Sequence, residues 1–220
     1  MNNYDNNIFP QAGSDEVGTG DFFGPVVVCA AHVDQDDIKK LNLQSIQDSK
    51  KITDELIMKM APQLIQQLRH QVVILDNKNY NLLQKTHNLN AMKAILHNQA
   101  LLNLKNSLAI PMNNVIVDQF AKPDLYYRYL QNEREVFNKI HFETKAESKY
   151  LSVACASMIA RYHFIIEMDK LCKKYEINLP KGAGNLVDVA GHQFILKHGK
   201  DELINVCKLH FKNIEKINQM

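Results

Sequence analysis

A chain of 220 residues, 45% hydrophobic and 23% charged, can bury roughly 70% of its unfolded surface. It reads as one large domain, or one with a small appendage, that needs no staple to fold. Its cysteines (Cys29, Cys155, Cys172 and Cys207) stand apart among apolar neighbours with no CxxC or Cys/His cluster, so they read as small core residues in a reducing compartment. No run approaches the ~18 apolar residues of a membrane span and residues 1–10 are polar, so neither a span nor a signal peptide is expected and the protein is read as cytosolic.

Residues 11–17 (QAGSDEV) lead into a glycine-rich turn, and Pro25 opens the apolar run VVVCAAHV ending at Val33. That pattern is strand, tight connection, buried strand. Thr53 is a good N-cap for a helix with Leu56, Ile57, Met60, Leu64, Ile65 and Leu68 on one face, and Pro62 is expected to kink or split it. Residues 71–76 (QVVILD) read as a buried strand, 90–108 as a helix, and 114–118 (NVIVD) as a short strand closing on a carboxylate. A short helix at 125–130, a strand at 137–142 and a long helix at 149–174 follow, with weaker helical patterns at 187–197 and 201–208. No repeat, low-complexity tract or long linker interrupts this order. The reading is an α/β domain: a mixed sheet with helices on both faces and a helical C-terminal part from about residue 170.

Acids occur at three places where burial should dominate: Asp15-Glu16 before the glycine turn, Asp118 closing VIV, and Glu147 between a strand and the long helix. Strand ends are where α/β folds assemble ligand sites. An Asp directly after three β-branched residues is costly to bury as a charge without a partner, and a pair of divalent cations is such a partner. Each acid also has an ordinary reading: a turn pair for Asp15-Glu16, a cap or loop start for Asp118, and a helix-dipole acid for Glu147. Neighbouring strand residues point to opposite faces, so Asp15 and Glu16 cannot both reach one metal pair from a regular strand; a bend or a main-chain oxygen would have to resolve that. The last 51 residues, 170–220, hold nine Lys against five Asp and Glu, which leaves the rest of the +2 chain at −2. Lysines for phosphate beside acids for metal fit that split, as does a simple solvated basic face.

The turn Gly18-Thr19-Gly20 is not a dinucleotide fingerprint, because Gly24 comes one position late and a strand follows where a helix is needed. It suits the close approach of a nucleic-acid backbone, with main-chain amides and Thr19 facing a sugar hydroxyl or phosphate.

Residues 13–25 (GSDEVGTGDFFGP) closely resemble the opening signature of the type 2 and type 3 ribonucleases H. Residues 48–53 (DSKKIT), 115–118 (VIVD), 144–149 (TKAESK) with 152–157 (SVACAS), and the tail 208–213 (KLHFKN) resemble further motifs of that group, in order. Gly-Thr-Gly where type 2 enzymes typically have Gly-Arg-Gly, and Glu147 where they have Asp, point to type 3. The resemblance implies a ribonuclease H-like fold over residues 13–220 with 1–12 as a tail. It implies hydrolysis of the RNA strand of RNA–DNA hybrids to 5′-phosphate and 3′-hydroxyl ends, at Mg²⁺ (or Mn²⁺), with two ions held by Asp15, Glu16, Asp118 and Glu147. Gly18, Thr19 and Gly20 become candidates for the 2′-hydroxyl, and Lys50, Lys51, Lys145 and Ser152 for phosphates.

A monomer without an obligate protein partner is expected. Type 3 enzymes usually carry an added N-terminal domain that grips the hybrid, whereas Asp15 here has only 14 residues before it. The expectation is therefore a catalytic domain without that element and with a weaker hold on substrate. Three alternatives stay open: a type 2 enzyme that incises at single ribonucleotides in DNA, a non-catalytic nucleic-acid-binding module of the same fold, and another two-metal nuclease.

Overall fold

Five strands form one mixed sheet: β1 (Gln11–Val17), β2 (Val26–Val33), β3 (Arg69–Leu75), β4 (Val115–Asp118) and β5 (Ile140–Glu143), in the order β3-β2-β1-β4-β5. The computed structural model describes residue 4, residues 7–41, residue 46 and residues 53–220. β1 pairs in parallel with β4, and β4 with β5, in a register that sets Ser14 opposite Val117 and Asp118 opposite Glu143. One step further along that register brings Asp15 level with Asp118 at the C-terminal ends of adjacent parallel strands. β2 is buried along its whole length, as a continuous β-branched and small-residue run requires. β3 was expected to be buried but is half-exposed, because it is the edge of the sheet.

The helices bounded within the described residues are α1 (Gln35–Lys40), α2 (Asp54–Gln67), α3 (Asn77–Leu83), α4 (Leu89–Ser107), α5 (Pro123–Tyr129), α6 (Leu151–Tyr175), α7 (Asn185–His198) and α8 (Asn213–Gln219). Thr53 caps α2 as expected, its hydroxyl accepting from Leu56 N, but Pro62 lies inside an unbroken helix. The buried face of α2 is Ile57, Ala61 and Leu64, while Leu56 is exposed. Short α1, α3 and α8 carry too few apolar residues to register as a period, and 200–205 forms a 3₁₀ turn where a helix was expected. α6 is long and apolar enough to cross a membrane by length and composition, yet 67% of its apolar window is buried inside the fold, the mark of a core helix.

The chain divides into two compact units. The first (Met1–Glu16, Val28–Val73 and Asn88–Tyr162) holds nearly all of the sheet. Its core includes Ala94, Tyr126 and Leu130 packed with Phe120, Tyr127 and Phe142. The N-terminal segment expected as a tail contributes to it: Tyr4 is buried with its hydroxyl donated to Glu147 O, and Asn7 bonds Lys149 O and Leu151 N. Gly13 is obligatory here, since a Cβ would lie 2.4 Å from Val153 N at the start of α6.

The second unit (Val17–Val27, Ile74–His87 and His163–Met220) is helical and is organised around the glycine turn. Phe23 bridges Cys207, Gly24 N bonds Val206 O at 2.9 Å, and Lys208 N bonds Phe22 O at 2.8 Å. On α3, Asn77 donates to Gly24 O and Asn81 to Cys207 O, so one polar helix face ties the turn to the tail.

Candidate active site

The fold brings all four expected acids into one cleft. A cavity of about 380 Å³ is lined by Asp15, Glu16, Asp118 and Glu147, with Ile57 of α2 and Ser157, Met158 and Arg161 of α6. Asp15 is drawn furthest from its ordinary state. Desolvation, then the neighbouring Glu16 charge, push its carboxyl up to about 8 against the bonds it accepts from the Ser157 hydroxyl and Glu16 N. Asp118 is also raised, first by burial, although Ala146 N donates to its Oδ1 at 2.7 Å. Glu147 stands on the 3₁₀ turn 146–148, entered through Lys145 at φ 55°, in the left-handed region.

Glu16 lines the cleft, but its carboxylate is engaged elsewhere. One oxygen pairs with Lys93 Nζ and the other lies 2.9 Å from His97 Nε2; both partners are on α4, one turn apart. A carboxylate only accepts, so Nε2 carries the proton, and in the neutral ring Nδ1 accepts from the Ser14 hydroxyl at 2.6 Å. Burial raises the Glu16 carboxyl, but His97 and Lys93 outweigh it and hold the group below its usual range. Lys93 also sits 4.1 Å above the Phe120 ring. Strand alternation sends the two side chains different ways: the Glu16 carboxylate turns to Lys93 and His97, while Asp15 accepts from Ser157 and Glu16 N.

The remaining expected residues fare differently from one another. Gly18 has φ +93°, and a Cβ there would sit 2.2 Å from Pro25 O, so the fold itself demands glycine. Thr19 is half-buried and Gly20 exposed in the turn closed by Asp21 N to Gly18 O, with open space around Gly20. Lys145 is exposed. Ser152, expected to meet a phosphate, is instead fully buried, with its hydroxyl donated to Gln11 Oε1 at 2.9 Å; it anchors the start of α6 to β1. Lys50 and Lys51 lie outside the described residues.

Four contributors were missed: Lys93, His97, Ser157 and Arg161. The first two were detectable as a polar i,i+4 pair on an otherwise apolar stretch of α4. Arg161 lines the cleft while donating to Asp54 Oδ1 at 2.8 and 3.1 Å, a pairing across 107 residues that no local pattern announces. Within the second unit, Lys208 is fully buried, its ammonium bonded to Asp21 O at 2.7 Å and Gly24 O at 2.6 Å. Burial pushes it down to about 8.

The family model described as Ribonuclease HII matches residues 12–214, from the first residues of β1 to the start of α8. The chain belongs to the ribonuclease HII family. Among its curated relatives is the Ribonuclease HIII of Bacillus licheniformis, 45% identical over 210 residues, covering 94% of this chain and 67% of the relative. Among solved structures, Bst-RNase HIII in complex with Mn²⁺ superposes with a TM-score of 0.93 at 43% identity, covering 96% of this chain and 69% of that one. The ribonuclease H2 of Pyrococcus horikoshii superposes with a TM-score of 0.78 at 26% identity, covering 96% of this chain and 98% of that one. The fold is ribonuclease H-like, the chain is a hydrolase of the ribonuclease H class, and its similarity is greater to the HIII relatives than to this H2 enzyme.

Proposed function

We propose that this chain hydrolyses the RNA strand of RNA–DNA hybrids, leaving 5′-phosphate and 3′-hydroxyl ends, with Mg²⁺ bound and Mn²⁺ able to replace it. The observation that carries this reading is the gathering of four acids on one cleft. Asp15, Glu16, Asp118 and Glu147 line it together, and Asp15 is pushed up to about 8 by desolvation and a like charge. Such a donor set is ill-suited to stand as anions alone and well-suited to hard divalent cations, which take carboxylate oxygens. Bound there, two divalent ions would supply an activated water and charge to stabilise the leaving oxygen.

The chain's own residues do the rest. Ala146 N fixes the Asp118 carboxylate, and Ser157 with Glu16 N fixes Asp15. Lys93 and His97 hold the Glu16 side chain, so Glu16 serves the metal side through its main-chain oxygen. Arg161, held by Asp54, adds positive charge to the cleft wall for the phosphate. Thr19 and Gly20 lie three and four residues beyond Glu16 in the chain, and we assign them to the 2′-hydroxyl and the adjoining backbone. Residues 13–220 together form the catalytic domain in this reading.

Three labelled duplexes of about 20–30 base pairs with Mg²⁺ test it: an RNA–DNA hybrid, an all-DNA duplex, and DNA with one ribonucleotide. Cutting confined to the hybrid RNA and abolished by EDTA is expected. Equally strong cutting at the single ribonucleotide would move the assignment to the type 2 activity, and cutting of all-DNA duplex would overturn it.

A further inference from the structure

His32 is the penultimate residue of β2 and is 1% exposed, and neither ring nitrogen has a hydrogen-bond partner among the described residues. Buried polar groups are nearly always paired, so a doubly orphaned imidazole asks for a partner. Two carboxylates stand beside it: a ligand-capable atom from each of His32, Asp34 and Asp37 lies within 4.8 Å of the other two.

Asp34 and Asp37 are held in place by the capping box of α1. Asp34 Oδ1 accepts from Asp36 N and Asp37 N, and Asp37 Oδ2 accepts from Asp34 N at 3.0 Å. Each carboxylate thus spends one oxygen on the box and keeps a second. Both are half-buried, which gives an ion a route to the imidazole past the carboxylates. Arg69, the exposed residue opening β3, already contributes positive charge to the field at Asp34 and His32. Burial, then that charge, hold the His32 ring towards its neutral form, the form that ligates.

We infer that His32, Asp34 and Asp37 form a binding site for one transition-metal cation of the zinc type, built from none of the residues of the catalytic cleft. One imidazole and two carboxylates is a borderline donor set, better matched to Zn²⁺ or its neighbours than to Mg²⁺, which prefers oxygen alone. The ion joins the end of β2 to α1, so its effect is structural.

The test is equilibrium Zn²⁺ binding to the whole chain in a large excess of Mg²⁺, which keeps the carboxylate cleft occupied. One Zn²⁺ per chain is expected, with affinity falling at least tenfold in Asp37→Asn, a half-buried position where the amide oxygen can still accept from Asp34 N. His32→Gln should remove the site, and Asp118→Asn should leave it unchanged. Zn²⁺ should also raise the Tm of the unmodified chain and of Asp118→Asn, but not of Asp37→Asn. Absence of Zn²⁺ binding under excess Mg²⁺, or binding lost in Asp118→Asn and kept in Asp37→Asn, would overturn the inference. Neither result bears on hybrid cleavage.

Discussion

Lys208 and Asp15, one in each unit, are both drawn away from solvent, and they are treated in opposite ways. Lys208 in the helical unit is 0% exposed, yet its ammonium meets two main-chain oxygens and lies 5.5 Å from the Tyr80 ring. Its partners are internal, so its work is architectural: it fastens the segment 21–24 that follows the glycine turn. Asp15 in the sheet unit has a hydroxyl and one amide for itself, and faces Glu16 and Asp118, which oppose its charge. Glu16, one residue on, shows that this unit can satisfy an acid when structure requires it, with a lysine and a histidine. A withdrawn charge with internal partners is scaffold, whereas one left facing its own kind is waiting for something from outside.

The sharpest way to break that contrast is to remove an acid from the cleft. Asp118→Asn keeps an oxygen that can accept from Ala146 N, so the fold should survive with little change in Tm. Hybrid cleavage should fall by about 10³-fold or more, the scale of losing a charged group that stabilises the transition state. Steady-state cleavage and a thermal melt together check it, and retained activity would place the site elsewhere.

Lys208 gives the next largest effect, through pH. Its ordinary value of 10.5 is lowered to about 8 in the fold. Below pH 8 both folded and unfolded chains hold the proton, and the folded one bears the burial cost. Between pH 8 and 10.5 the folded chain releases it first, the unfolded chain binds more protons, and stability rises with pH. Relative to Lys208→Met, the chain should gain up to about 3 kcal/mol across that window. Denaturant melts at several pH values measure the difference; a flat difference would mean that Lys208 is not charged and buried.

Asp15→Asn should do the reverse of an ordinary lesion. Without divalent metal it removes the carboxyl whose ionisation burial, Glu16 and Asp118 oppose, while the amide oxygen can still accept from Glu16 N. The expected gain is about 1 kcal/mol, or about 2–4 °C in Tm at this chain size. Adding Mn²⁺ should cancel that advantage by stabilising only the unsubstituted cleft. Melts with and without Mn²⁺ decide it, and a less stable Asp15→Asn in EDTA would show that the acid is satisfied internally.

The sequence was most legible where one local signal sufficed. The continuous run of β2, the Thr53 cap and the acid ending β4 all form as their spacing indicates. The strand-end acids could be picked out because carboxylates after β-branched residues contradict burial, and the family signature raised that suspicion to an ordered set. What failed to show was long-range. Whether β3 was central or an edge depends on strand order, which no window of residues contains. Ser152 was a phosphate candidate through the resemblance, but Gln11, 141 residues away, takes its hydroxyl. The destination of the Glu16 side chain likewise depends on α4 crossing behind β1, 81 residues later.

The smallest effect belongs to the glycine turn, and it separates fold from function within three residues. Gly18 is needed by the backbone itself, so Gly18→Ala should destabilise the chain whatever it binds. Gly20 has no such need: its φ is not positive, and a Cβ would meet nothing within 4 Å. Gly20→Ala should therefore melt like the unsubstituted chain. If the space beside Gly20 is where a nucleic-acid backbone comes close, the added methyl should weaken hybrid cleavage by several-fold, mainly in KM. Thr19→Ala should lose only a few-fold, about 1 kcal/mol at most, because the main-chain amides of the turn remain. Unaltered KM in Gly20→Ala would move the hybrid away from the turn, and a Thr19→Ala loss as deep as that of Asp118→Asn would give the hydroxyl a part in the chemistry itself.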